Sequence, residues 1–409
     1  SILAARTDLQ SVRRGEAEQP GIARGALEER REFSVQSLQA DWSWRAADAA
    51  ALQFGSEWRH SDGRYRYTDA AQFDLVFDIP RAFSESSRAH DIDRPASGDQ
   101  YGAYVSLRTE VSERFTLEGG ARWDRSTLSD DGGHWGPRAS ALYRLGEAAY
   151  VRASWGRFMQ TQNVDELSVS DGVVAFSDAQ RADHWLISYE QHLNDDVDLR
   201  VEAYRKRYSQ LRPRFENLLN DVVILPEIKP DRIRITPQHG RAAGVELSLR
   251  SVQARPLFWW ASYTWSRAED VFSAHAVRRS WDQQHAFNAG VGWESERWEL
   301  SLAGAWRSGR PATALELTAS DDTLVVRAAG RNSRQLGAYA DLDARLARKF
   351  HLGGSSSLTA FFELRNALNR RNECCTEFEI DEESGEPELV LESIRSLPLL
   401  PSLGVIWRF

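Results

Sequence analysis

The chain has 409 residues, with 51 Lys and Arg against 60 Asp and Glu and a formal net charge of −9. That acidic balance excludes a broad basic surface for nucleic acid. The two cysteines are adjacent, Cys374-Cys375, which excludes a disulfide framework and zinc-ligand spacing.

No run approaches the roughly 18 apolar residues of a membrane helix. A membrane β-barrel passes that test unseen, because its strands alternate and average out. Alternation recurs along the whole chain. Over 38–45, Leu38, Ala40, Trp42 and Trp44 oppose Gln39, Asp41, Ser43 and Arg45. Over 115–124, Phe115, Leu117, Ala121 and Trp123 oppose Thr116, Glu118, Arg122 and Asp124. Over 197–206, Val197, Leu199, Val201 and Ala203 oppose Asp198, Arg200, Glu202 and Lys206. Segments 298–307 and 340–345 repeat the pattern, and Leu403, Val405, Trp407 and Phe409 carry it to the last residue. A period of two is a strand. About 16 such strands are predicted, most near the roughly 10 residues that a tilted strand needs to cross a bilayer.

Short connections are expected near 46–48, 112–114, 146–148, 194–196, 252–256, 295–297 and 351–355. Long ones are expected near 13–31, 61–97, 126–134, 160–181, 211–239, 270–281, 310–335 and 370–398. They alternate, which describes an all-β, antiparallel, up-and-down transmembrane β-barrel with tight turns on one side and extended loops on the other. A closed barrel also removes the exposed edge that a terminal Trp-x-Phe strand would otherwise present. With 15 Trp, an aromatic girdle is expected; Trp259, Trp265, Trp293, Trp298 and Trp306 fall near strand ends.

Several segments, taken in order, resemble the barrel of TonB-dependent receptors of Gram-negative outer membranes. They are the strand 100–107, the Gly-Gly-Ala-Arg-Trp-Asp strand at 119–124, Gly136-Pro137-Arg138 with the strand 149–158, and Glu166-Leu167. Gly244-Val245-Glu246, Trp281-Asp282-Gln283-Gln284-His285, Ser308-Gly309-Arg310-Pro311 and Glu363-Leu364-Arg365-Asn366 follow. The resemblance implies one barrel domain over 1–409, the C-terminal part of a 22-stranded barrel. It implies uptake of a scarce small-molecule ligand of the ferric siderophore, cobalamin or saccharide class. Energy would come from the TonB-ExbB-ExbD complex through a plug. Neither plug nor TonB box is found in these residues, so a truncated receptor and a reduced barrel are both open. Further implied partners are outer-membrane lipid and the barrel-assembly machinery, which would read the strand ending at Phe409. The C-terminus is expected in the periplasm, with the long loops extracellular.

Binding residues concentrate on loops. The rim candidates are Arg157, Gln160, Gln162, Asp165, Trp281, Asp282, Arg310 and Arg331. Lumen-facing candidates are Arg122, Arg152, Arg200, Glu246, Arg345 and Arg365, which either pair across the wall or line a path for an anionic ligand. Cys374 and Cys375 form either a vicinal disulfide or a free pair. The acidic run Glu377 to Glu388 lacks EF-hand spacing, and no cofactor or metal is expected. Asp183-His184 and Asp282 with His285 are the only acid–His pairs worth naming, and catalysis is not expected. The alternative function is a passive porin-like channel. Its constriction loop would be 211–239, carrying Arg212, Arg214, Glu216, Asp221, Lys229, Asp231 and Arg232.

Overall fold

The computed structural model describes all residues except 75, 79–86, 221, 252–255, 274, 321–322 and 382–387. Most of the chain lies in one 17-stranded sheet. Sixteen of its strands form the wall: β1 (Ile2–Gln19), β2 (Ala23–Ala47), β3 (Ala50–Phe73), β4 (Ser87–Ser112), β5 (Phe115–Ser126), β6 (His134–Arg144), β7 (Ala149–Gln160) and β8 (Gln180–Asn194), followed by β9 (Val197–Ser209), β10 (His239–Ser251), β11 (Leu257–Val271), β12 (His285–Glu294), β13 (Trp298–Arg307), β14 (Tyr339–Gly353), β15 (Ser356–Arg365) and β16 (Leu400–Arg408). The seventeenth is the short segment Ala276–Arg278, laid along β11. Every wall strand pairs antiparallel with its chain neighbour, as an up-and-down meander requires.

Register fixes two faces. Trp42 pairs with Phe54 and Leu38 with Trp58, while Tyr263 pairs with Phe287 and Trp306 with Phe287 in turn. All of these lie on one continuous apolar face, the outer one, and stay solvent-accessible there. Trp265, Trp293, Trp298 and Trp306 of the expected girdle are on it and about 40% exposed. The turns at one end are tight, at 48–49, 113–114, 195–196 and 354–355. The last is made by Gly353 and Gly354 at φ 104° and 60°, a left-handed region that costs glycine nothing.

One expectation needs correction, and one open question is answered. Residues 13–31 and 61–97, read as loops, are mostly strand: β1 to β4 run 18, 25, 24 and 26 residues. Beyond the bilayer both faces meet water, so both carry charge, and the period-two signal disappears while the ladder continues. The edges are also unpaired among the described residues. β1 pairs with β2 alone and β16 with β15 alone, so the first and last strands do not close on each other.

The remaining loops are also structured. Hairpins Arg214–Asn217/Arg232–Ile235, Pro311–Ser320/Thr323–Gln335 and Glu373–Asp381/Glu388–Arg395 rise from the C-terminal half. Together with Ile22 from the β1–β2 turn they bury a shared core of Ile233, Ile235, Leu315, Val326 and Phe378. A second core forms where loop 161–179 folds onto the inner face of β2 to β4. There Val164, Leu167 and Val169 pack against Leu27, Phe33, Tyr65 and Tyr67. Each fully buried side chain of this size contributes about 1.5–3 kcal/mol, so the loop end is a folded cap and not a fringe of coil.

Candidate functional site

Asp270 ends β11 on the inner face, beyond the apolar belt, and is fully buried. Three arginines from three elements converge on it. Arg214, in the first cap hairpin, places Nη1 3.1 Å from Oδ1 and bonds Oδ2 through Nη2. Arg279 donates Nε to Oδ1 at 3.0 Å, and Arg331 approaches Oδ2 at 3.5 Å. Glu216 is the second anion. It accepts from Arg214 at 2.6 Å, Ser280 at 2.8 Å and Arg331 at 2.9 Å. Burial pushes both carboxyls up, but the surrounding arginines prevail and hold both below the usual carboxylate range. Three cations face two anions, so the cluster carries one surplus positive charge, and the Arg331 Nε has no protein partner. Beside it a cavity of about 460 Å³ is lined by Ile233, Ile235, Phe272, Val277, Ala328 and Arg331.

A second contact lies at the same end. Arg310 stacks 4.5 Å over the ring of Trp281, which is 61% exposed, and donates to the Cys374 carbonyl. Gly309 makes this possible: a Cβ there would lie 1.7 Å from the Leu336 carbonyl oxygen, where the hairpin base closes. Cys374 and Cys375 are joined as a disulfide. A half-buried guanidinium stacked on an exposed indole is an arrangement suited to a flat or anionic ligand.

A TonB-dependent receptor-like β-barrel model matches residues 6–367. The chain belongs to this receptor family. No curated protein sequence matches it. Among solved structures, it is similar to the ferric citrate transporter FecA in its unliganded form, at 14% identity and a TM-score of 0.61, over 100% of this chain and 59% of that one. The ferric yersiniabactin uptake receptor FyuA from Yersinia pestis gives 14% and 0.65, over 100% and 58%. The ferripyoverdine receptor of the outer membrane of Pseudomonas aeruginosa gives 14% and 0.58, over 99% and 52%. The chain thus spans a little over half the length of these structures.

The rim residues read from sequence do not gather into one site in this receptor-family barrel. Trp281, Arg310 and Arg331 are at the loop end as described. Asp282 is buried and ties its turn to Arg278 at 2.8 Å and the Ala268 amide at 2.7 Å. Gln162 is buried and spans the loop through the Glu166 carbonyl and the Ser177 amide, both at 2.9 Å. Gln160 and Asp165 are exposed. Arg157 faces outward, bonded to Asp183 at 2.8 Å. Asp183 and His184 therefore lie on opposite faces, and His285 bonds Tyr263, not Asp282.

Register puts Arg122, Arg152, Arg200, Glu246, Arg345 and Arg365 on the inner face. Arg122 pairs with Glu57 and Asp124, Arg200 with Glu202 at 2.5 Å, and Arg345 with Glu363 at 2.8 Å. In loop 211–239, Arg212 pairs with Glu166 at 2.8 Å and Arg232 with Asp171 at 2.5 Å, while Lys229 donates to Gln19 at 3.0 Å. Asp221 and residues 382–387 of the acidic run lie outside the described residues.

Asp270 and Arg279 were missed in the sequence. The available signal was parity: Asp270 shares the inner face of β11 with Thr264, Ser266 and Ala268, and Arg279 follows at the next turn.

Proposed function

We propose that this chain is the wall and loop scaffold of an outer-membrane receptor that captures a scarce, anionic ferric chelate at its loop end. In this reading the loops face outward from the cell and the tight turns and Phe409 face the periplasm. Energy arrives from TonB-ExbB-ExbD through a plug outside these 409 residues. The observation that carries the reading is the surplus-cationic cluster of Arg214, Arg279 and Arg331 close to the exposed Trp281 ring on which Arg310 stacks. Arginine forks suit the carboxylate, catecholate or hydroxamate oxygens of a chelate. The similar structures, a ferric citrate transporter, a ferric yersiniabactin uptake receptor and a ferripyoverdine receptor, support that class over cobalamin or a saccharide. The porin alternative is weaker, because Arg212, Arg214, Glu216 and Arg232 of loop 211–239 are already held in ion pairs.

The test is ferric citrate titrated into the detergent-folded chain, with tryptophan emission as readout. Quenching that saturates, and that falls at least several-fold in Trp281→Phe and Arg310→Gln, is the expected outcome. No saturable quenching by any anionic ferric chelate, or steady ion conductance of the chain in a planar bilayer, would reject the reading.

A further inference from the structure

The outer wall carries a second charged feature that ligand capture does not use. On β7 to β11 the apolar belt ends at Trp155, Trp185 and Trp265, and a belt of arginines begins on the same outward face. Trp155 pairs with Trp185, and Trp185 with Arg205. One register further on, Arg157, Asp183, Arg207, Arg241 and Glu269 follow one another across five strands.

Six arginines stand here against two carboxylates. Each carboxylate is buried and splays two arginines apart. Asp183 holds Arg157 at 2.8 Å and Arg181 at 2.7 Å. Glu269 holds Arg241 at 2.6 Å and Arg267 at 2.5 Å. Arg205 and Arg207 lie between the two pincers, exposed on the wall. The formal charge of the group is +4. Farther from the tight turns, the outer face of β2 to β4 is different: Arg64 pairs with Asp93 and Arg30 with Glu32, both at 2.6 Å.

Directly below the arginines, the lipid-facing wall is hollowed. Gly119, Ala139, Ala141 and Ala153, on β5 to β7, form a shallow floor beside the paired Trp155 and Trp185, making an almost wholly apolar groove of about 960 Å³. Arg205 lines its upper end. A groove shaped for hydrocarbon therefore runs into a patch shaped for an anion.

We propose that β5 to β9 form a binding site for an anionic, phosphate-bearing membrane lipid, its acyl chain in the groove and its phosphate between Arg205 and Arg207. Two arguments select this occupant. The groove continues the face that the barrel presents to hydrocarbon, so its filler is an acyl chain already in the bilayer. The arginine fork matches phosphate oxygens bidentately, and a positive group at the membrane surface draws anionic headgroups. The inference rests on the reading that this wall lies in a bilayer.

The test uses native mass spectrometry of the detergent-folded chain with dimyristoyl phosphatidic acid, and with phosphatidylcholine bearing the same chains. Identical chains cancel the groove, so the headgroup decides. Retention of phosphatidic acid over phosphatidylcholine is expected. Arg205→Gln with Arg207→Gln should lower it by roughly 5-fold per arginine, while Arg30→Gln with Arg64→Gln leaves it unchanged. All four residues are exposed, and heat-modifiable gel mobility confirms that each variant is folded. Equal retention of the two lipids, equal loss in the two double variants, or displacement by millimolar inorganic phosphate would overturn the proposal. Quenching of tryptophan emission by brominated lipid separates the two failures. Quenching without headgroup selectivity rejects the lipid site alone, whereas no quenching rejects the bilayer placement beneath it.

Discussion

Asp270→Asn is the most direct perturbation of the loop end. The carboxylate is fully buried and receives Arg214, Arg279 and Arg331, at 3.1, 3.0 and 3.5 Å for the three longer contacts. Removing one member of a buried ion network costs about 3–5 kcal/mol, because the partner charges stay buried without compensation. Asparagine keeps one acceptor for Arg214, which places the cost near 3 kcal/mol. At about 1.4 kcal/mol per tenfold, the open population of this part of the cap rises by roughly 100-fold. Hydrogen exchange in the folded, detergent-solubilised chain reads this directly. Amides of Arg214–Asn217, Arg232–Ile235 and Ala276–Arg278 should lose about two decades of protection, while those of β12 and β13 keep theirs. Adding Arg331→Gln should restore part of the loss, since it removes one of the stranded cations. Cap protection within threefold of the parent would refute the argument that Asp270 organises these arginines.

Four other outcomes follow from the same geometry. Asp231 is buried, accepting from Asn217 and the Leu219 amide, and burial raises its carboxyl above the usual 3.8. Between that value and its raised folded value the native state binds the extra proton, so the local stability of loop 211–239 falls as pH rises through this window. Leu219 amide protection measured against pH should show the decline, and Asp231→Asn should flatten it; a rise with pH would contradict the assignment. Tyr65 is buried, with its phenol pushed up to about 12 by burial, donating to the Val164 carbonyl and accepting from the Leu167 amide at 3.2 Å. Tyr65→Phe leaves both backbone groups unpaired and should destabilise loop 161–179 by about 1–3 kcal/mol, seen as faster proteolysis within that loop. Gly309→Ala should displace the hairpin base and with it Arg310, lowering ferric-chelate quenching while leaving the wall's melting temperature within a few degrees. Leu302→Arg on the outer face should cost about 2–4 kcal/mol in urea-driven folding into vesicles; no penalty would place that face outside the hydrocarbon.

The wall was legible because a membrane imposes contrast. Leu38 to Trp44 and Trp298 to Trp306 alternate because one face meets lipid and the other meets water, and the tight turns at 113–114 and 195–196 mark the strand ends. The contrast fails above the bilayer. In β1, Arg13, Arg14, Glu16 and Glu18 load both faces with charge, so a ladder 18 residues long reads as loop. The site was harder to read for another reason. Arg214 and Asp270 are 56 residues apart, and nothing in either segment encodes the turn geometry that joins them. Their meeting depends on the cap core, where Ile22, Ile233, Leu315 and Phe378 come from four separate connections. Arg331 could be named as a rim residue from its place in a long loop, but its partners could not.

The cap also bears on how the wall is held together. Its two edge strands do not pair, yet at the loop end they are tied. Gln19, at the top of β1, donates to the Phe378 carbonyl at 3.2 Å and accepts from Lys229 at 3.0 Å, and Arg13 pairs with Glu227. The N-terminal hairpin is thereby fastened to the connections that follow β9 and β15. Nearer the turns, β16 presents Leu403, Val405 and Trp407 outward, between 62% and 81% exposed, beside a free backbone edge. Hydrocarbon tolerates those side chains but not unpaired peptide groups, each of which costs several kcal/mol. A bilayer therefore demands a partner strand along β16, while water at the loop end makes no such demand on the cap. Loop-end closure through side chains and membrane-level closure through backbone pairing are thus separate requirements, and this chain meets the first by itself.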